Sequence, residues 1–70
     1  MDNKKFTIAT VNKYAQIFNC ILIHNKKEEY FYWISSDYNF YDSMVCVSSL
    51  NQLCLQEWIF DLVEKINKVR

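Results

Sequence analysis

Glycine and proline are both absent from this 70-residue chain. Average usage of about 7% and 5% would supply several of each. Lack of glycine removes the phosphate-cradling loops of nucleotide-binding proteins, which need backbone that approaches a phosphate with no Cβ in the way. It also leaves every turn that requires a positive φ to Asn and Asp, the next most tolerant residues. Asn12, Asn19, Asn25, Asp37 and Asn39 are therefore the expected turn markers. Net charge is missing too, since eight basic residues balance eight acidic ones. No strong long-range field steers such a chain toward nucleic acid or an anionic membrane. No run reaches the ~18 apolar residues of a membrane span. The opening Met1-Asp2-Asn3-Lys4-Lys5, running into Phe6-Thr7-Ile8-Ala9-Thr10, is too polar and too short for a secretory leader. Three cysteines, Cys20, Cys46 and Cys54, make an odd count that argues against a disulfide framework. The expected location is a reducing cytoplasm.

What the chain does have is apolar mass. Hydrophobic residues make up 51% and aromatics 17%, too apolar a balance for intrinsic disorder. The length bounds the answer to one domain, residues 1–70, which buries only about 60% of the surface its unfolded form exposes. Large aromatic side chains offset the thin core because each buries much area.

The periodicity predicts a C-terminal helix over Leu50–Val69. Leu55, Trp58, Ile59, Leu62, Ile66 and Val69 recur at helical spacing, and Ser49 with Gln52 has the form of a capping box. Acidic Glu57, Asp61 and Glu64 precede Lys65, Lys68 and Arg70, the order the helix macrodipole favours. Three runs read as strands: Ile21–Ile23, Tyr30–Ile34 and Met44–Val47. Their short polar connections arrange them as an antiparallel meander. The N-terminal segment, residues 7–18, fits a helix because Val11, Tyr14, Ala15, Phe18 and Leu22 keep helical spacing, with Thr7 or Thr10 as cap and Asn19 closing it. Two strands around Asn12-Lys13 are the rival reading. The expected fold is α+β, in the order α-β-β-β-α, with both helices on one face of a three-stranded sheet. The alternative is a four-stranded sheet with one C-terminal helix.

Catalytic groups are scarce. His24 is the single histidine, and general acid–base work would require a buried carboxylate beside it. Cys20 and His24 are four apart and share a strand face, but in a meander the second strand separates them from Cys46. No paired Cys or His spacing of a zinc site is present. Cys54 is expected to pack within the helix. The carboxylates, Glu28-Glu29, Asp37 and Asp42, and Glu57, Asp61 and Glu64, read as loop and solvated-helix residues rather than a cleft pair. No catalytic residue, metal or cofactor is expected, and the chain reads as a non-enzyme.

Two surfaces exceed what a core needs. Strand alternation with Phe31, Trp33, Ile21 and Ile23 toward the helices leaves Leu22, Tyr30, Tyr32 and Ile34 on the open face, with Met44 and Cys46 beside them. Contiguous apolar surface of this kind marks association, unless the Asp37–Tyr41 loop folds back over it. On the C-terminal helix, Leu53 and Phe60 are seven apart and share a line beside Glu57 and Glu64. The expected partner-binding residues are thus Leu22, Tyr30, Tyr32, Ile34, Met44, Leu53 and Phe60. The partner is another protein, or a second copy in a homodimer. An aromatic sheet also suits single-stranded nucleic acid, the second choice because Lys4-Lys5 and Lys26-Lys27 are the only basic pairs in the N-terminal half.

A small chain without motifs, rich in Asn, Lys and Ile as AT-rich genomes make it, resembles in kind the phage and mobile-element proteins that block host enzymes, anti-CRISPR proteins among them. That resemblance, one of size and composition, implies an inhibitor in the host cytoplasm that works by steric occlusion or conformational locking.

Overall fold

The computed structural model of the chain describes residues 6–40 and 42–70. Residues 1–5 with the Lys4-Lys5 pair, and Tyr41 at the end of the aromatic loop, lie outside them. The first element is helix α1, Ile8–Ala15, followed by a 3₁₀ turn, Gln16–Phe18. Strands β1 (Cys20–Asn25), β2 (Tyr30–Ser35) and β3 (Met44–Val45) come next, then a second 3₁₀ turn, Leu50–Gln52, and helix α2, Leu55–Val69. The strands form one antiparallel sheet in the order β1-β2-β3. This is the expected α-β-β-β-α arrangement, and the four-stranded alternative is set aside because residues 8–15 are helical.

Local chemistry explains the boundaries. Thr7 caps α1, its hydroxyl oxygen accepting from the Thr10 N–H. Asn19 ends the helical stretch in the left-handed conformation at φ 59°, as the absence of glycine requires. Asn25 also serves as a turn residue, its Oδ1 accepting from the Glu28 N–H at 3.1 Å. Asn12 does not: it lies inside α1. The second left-handed residue is Glu29, at φ 58°, a position its side-chain type does not advertise.

The C-terminal helix is shorter than its apolar repeat implies. Gln52 Oε1 accepts from the N–H groups of Ser48 and Ser49 at 2.7 and 2.8 Å, so the predicted cap organises the 3₁₀ turn instead. Leu53 is extended (φ −117°, ψ 150°), which breaks the helical path. A second cap then starts α2, with Glu57 Oε1 accepting from the Cys54 N–H at 2.8 Å. Cys54 is thus an exposed helix cap rather than a packing residue.

Register decides which face is the core. Leu22 lies opposite Trp33 and Cys20 opposite Ser35 across β1 and β2, and Phe31 lies opposite Val45 across β2 and β3. Opposed residues point to the same side of a sheet. Cys20, Leu22, Phe31 and Trp33 are all buried, together with Val11 and Ala15 of α1 and Trp58, Leu62 and Ile66 of α2. Both helices therefore cover this one face. Trp58 meets Phe31 and Trp33 edge-on, with ring centroids 5.1 and 6.3 Å apart. Each indole N–H is satisfied: Trp58 donates to the Leu50 carbonyl at 2.8 Å and Trp33 to Asp61 Oδ2 at 3.0 Å. Satisfaction matters because a buried donor without a partner costs about 1–3 kcal/mol. Asp61 is consequently not part of a solvated face; it bridges Trp33 and Lys65, the latter at 3.2 Å.

Candidate functional site

The face of the sheet turned away from the helices carries Ile21, Ile23, Tyr30, Tyr32, Ile34 and Met44. The register brings them together, with Ile21 opposite Ile34, Ile23 opposite Tyr32, and Tyr32 opposite Met44. Ile21, Ile34 and Met44 are 48%, 45% and 46% exposed, while Ile23, Tyr30 and Tyr32 are half-buried by their neighbours. The Tyr30 and Tyr32 rings lie 5.9 Å apart and tilted. Cys46 sits beside Met44, their sulfurs 3.5 Å apart. No charged side chain belongs to this set.

Tyr30, Tyr32, Ile34 and Met44 are where the alternation put them. Leu22 is not. It is 1% exposed, in the core against the helices, and Ile21 and Ile23 take its place on the open face. A one-residue shift flips a whole strand between faces. Here both faces of β1 are apolar, so hydropathy does not separate them. The only polar landmark, His24, is stacked on Phe31 on the helix side, with centroids 4.1 Å apart and planes 7° from parallel. The usable signal was Cys20, since free cysteine is among the most buried residue types. Its parity places Leu22 inside.

The described part of the 37–41 loop packs toward the core while also bordering Tyr32 and Ile34 of this face. Tyr38 and Phe40 stack on each other at 6.2 Å and pack against the core. Phe40 lies next to Lys65, Lys68 and Val69 of α2, which draws the loop toward the helix side. The sheet edges are also occupied. Asn12 reaches from α1 to β1, its Oδ1 accepting from the Leu22 N–H at 2.6 Å and its amide nitrogen donating to the Leu22 carbonyl at 3.4 Å. At β3, Asp42 Oδ1 accepts from the Met44 N–H at 3.2 Å. Such plugs deter strand addition, leaving the face rather than the edge as the accessible feature.

Beside Ile21 and Ile34 the face runs into a cleft of ≈ 670 Å³ walled by Asn12, Gln16, Asn19, Ser35 and Ser36. Amides and hydroxyls thus border the apolar patch, with Asn19 donating to Asp37 at 2.6 Å behind them. An apolar centre with an uncharged polar rim is the anatomy of a protein interface. Cys20 also lines this cleft but is buried. Burial pushes its thiol above the ordinary value, nearby Asp37 adds to the rise, and a hydrogen bond with Ser35 opposes it. A thiol held protonated is a poor nucleophile and a poor metal ligand. Among the described residues, no three His, Cys, Asp or Glu side chains converge as a metal site would require. Cys20 and His24 are on the helix side, while Cys46 is with Met44.

Leu53 and Phe60 meet, but by a different route from the one their spacing suggests. Leu53 precedes α2 and is half-buried against the core, while Phe60 projects from the helix at 66% exposure. Both line a groove together with Tyr14 of α1, which the spacing of the C-terminal helix alone does not reveal. No helix among the described residues is long and apolar enough to cross a membrane. No protein-family model matches the sequence, and neither characterised proteins nor solved structures give a match, so the functional reading rests on this geometry alone.

Proposed function

We infer that this chain is a non-enzymatic protein-binding module that docks a partner protein on its open sheet face. The observation that carries the reading is the uncharged apolar patch of Ile21, Ile34 and Met44, exposed, with half-buried Ile23 and Tyr32 between them, while side chains occupy outward backbone groups of Leu22 and Met44 at the two sheet edges. Removing such surface from water contributes roughly 25 cal/mol per Å². Tyr30 and Tyr32 add the rigid, half-polar contacts that interface centres favour. A patch of six residues falls short of the about 800 Å² per partner that a stable interface buries. The partner therefore extends over the amide-lined cleft as well, which favours a larger heterologous protein over a second copy meeting face to face. In the setting of a phage or mobile element, the partner is a host enzyme, blocked by occlusion or held in one conformation.

The aromatic patch also offers stacking surface for single-stranded nucleic acid. Phosphate contacts supply most of the affinity in such complexes, and the described residues of this face include no basic side chain to make them. Affinity capture with the tagged protein in a bacterial lysate separates the readings. One stoichiometric protein partner is expected, retained at high salt because the face is neutral, and lost with Tyr32→Asp although the variant still melts cooperatively. A partner set unchanged by Tyr32→Asp contradicts the assignment of the face. Capture of nucleic acid that falls away steeply with salt replaces it.

A further inference from the structure

The groove along α2, bordered by Tyr14 of α1, differs in character from the sheet face. Tyr14, Leu53, Ile59 and Val63 give it apolar walls, and Phe60 stands at its lip, 66% exposed. Its volume is ≈ 920 Å³, and all the charged residues that line it, Glu57, Asp61 and Glu64, are acidic. The segregation is local, because the chain as a whole carries equal numbers of acids and bases. Two of these carboxylates have structural duties: Glu57 caps α2, and Asp61 holds Trp33 and Lys65. Lys65 offsets the charge of Asp61, so the negative field over the groove comes from Glu57 and Glu64, both exposed.

We propose that this groove is a second docking site, which receives an amphipathic helical segment whose apolar anchors are flanked by Lys or Arg. Helix-in-groove recognition reads anchors at i, i+3 or i+4, and i+7, and the apolar residues Leu53, Ile59, Phe60 and Val63, with Tyr14 of α1 beside them, offer the surface for such anchors. Charge complementarity selects the flanks: acids on the wall attract basic side chains and reject acidic ones, a bias that acts on partner choice and on-rate. Phe60 is the anchor, since an exposed aromatic beside half-buried aliphatics gains the most on desolvation. The sheet face, having no charge, lacks this sign preference, so the two sites differ in the chemistry they accept.

The test uses the full chain and two labelled helical peptides of about four turns, one of Leu and Lys and one with Glu in place of every Lys. Fluorescence anisotropy is followed at about 50 and 300 mM salt, a range over which exposed charges become strongly screened. The Leu/Lys peptide is expected to bind saturably and to weaken with salt, and the Leu/Glu peptide to bind at least tenfold more weakly. Phe60→Ala is expected to cost about tenfold and Glu64→Lys about fivefold, losses in keeping with interface anchors and rim charges. Tyr32→Asp, on the opposite face, is expected to leave the affinity unchanged. Both groove substitutions are at exposed positions, and a cooperative melt of each variant verifies the fold. Equal binding of the two peptides, indifference to Phe60→Ala, loss with Tyr32→Asp, or no saturable binding up to millimolar peptide overturns the proposal.

Discussion

Asn12 stands in for a missing strand. Its side-chain amide pairs with both backbone groups of Leu22, the pattern a neighbouring strand would offer, and so ties α1 to the edge of β1. Asn12→Ala leaves Leu22 without these partners and is expected to destabilise by about 1–3 kcal/mol, read as a fall in the urea midpoint. Asn12→Asp keeps the acceptor but faces the Leu22 carbonyl with an oxygen, so it is expected to recover only part of the loss. Equal stability of wild type and Asn12→Ala contradicts this role. Composition marked Asn12 as a turn residue because Asn is permissive of positive φ, and no local pattern shows that its side chain is spent ten residues away. Cys20 is the second residue whose environment has a measurable consequence. Its raised pKa means that the fold favours the thiol. The associated stability is present below the ordinary thiol pKa and declines as pH rises through the folded value. The expected signature is an unfolding free energy that falls above about pH 9, with a weaker fall in Cys20→Ala. Iodoacetamide at mildly alkaline pH is expected to modify the exposed Cys46 and Cys54 well before Cys20.

Elements are built here from residues that do unaccustomed duty in a glycine-free chain. Asn19 takes the left-handed conformation at little cost, while Glu29 takes it at φ 58° with a full side chain. A non-glycine residue there costs roughly 1 kcal/mol, so Glu29→Gly is expected to raise the melting temperature by several degrees in a domain of this size. An unchanged or lower melting temperature means that Glu29 makes compensating interactions. The elements themselves were legible in the sequence because their signals are redundant: aromatic density marks β2, and the Trp58–Leu62–Ile66 stripe marks α2. Strand β3 has only Met44 and Val45, shorter than its apolar run, because the Val45 carbonyl turns to Val47. The interruption at Leu53 was hidden by an apolar repeat that continues across it, since periodicity records which side chains are buried and not whether the backbone between them is helical. The facing of β1 was ambiguous for the opposite reason: Ile21, Leu22 and Ile23 are equivalent in hydropathy, and only pairing with β2 fixes their parity. Four of the seven expected contact residues, Tyr30, Tyr32, Ile34 and Met44, therefore share a face with two that alternation assigned to the core.

At the scale of the whole molecule, helices cover one side of the sheet, and among the described residues no helix covers the other. A chain of this size has little surplus stability, and an apolar face retained at its surface forgoes burial that a third helix would supply. The proposed docking role offers a reason for keeping that face, and its neutrality would then set what it binds. Its charged counterpart on the helix side, the Phe60 groove, answers to a different chemistry, and the two surfaces together suit an adaptor or an inhibitor that grips a larger partner. Substitution across the open face is expected to separate binding from folding: Ile34→Asp, at a position already 45% exposed, is expected to abolish partner capture while shifting the melting temperature by only a few degrees. A matching loss of cooperativity means that Ile34 supports the fold instead. The most direct test of the docking face is methyl NMR of the isotopically labelled chain titrated with the protein it captures. The account predicts that the methyl signals of Ile21, Ile23, Ile34 and Met44 shift or broaden together while those of Leu22 and Leu62, buried against the helices, stay in place. Perturbation confined to Leu53, Ile59 and Val63, with the sheet-face methyls unmoved, contradicts it.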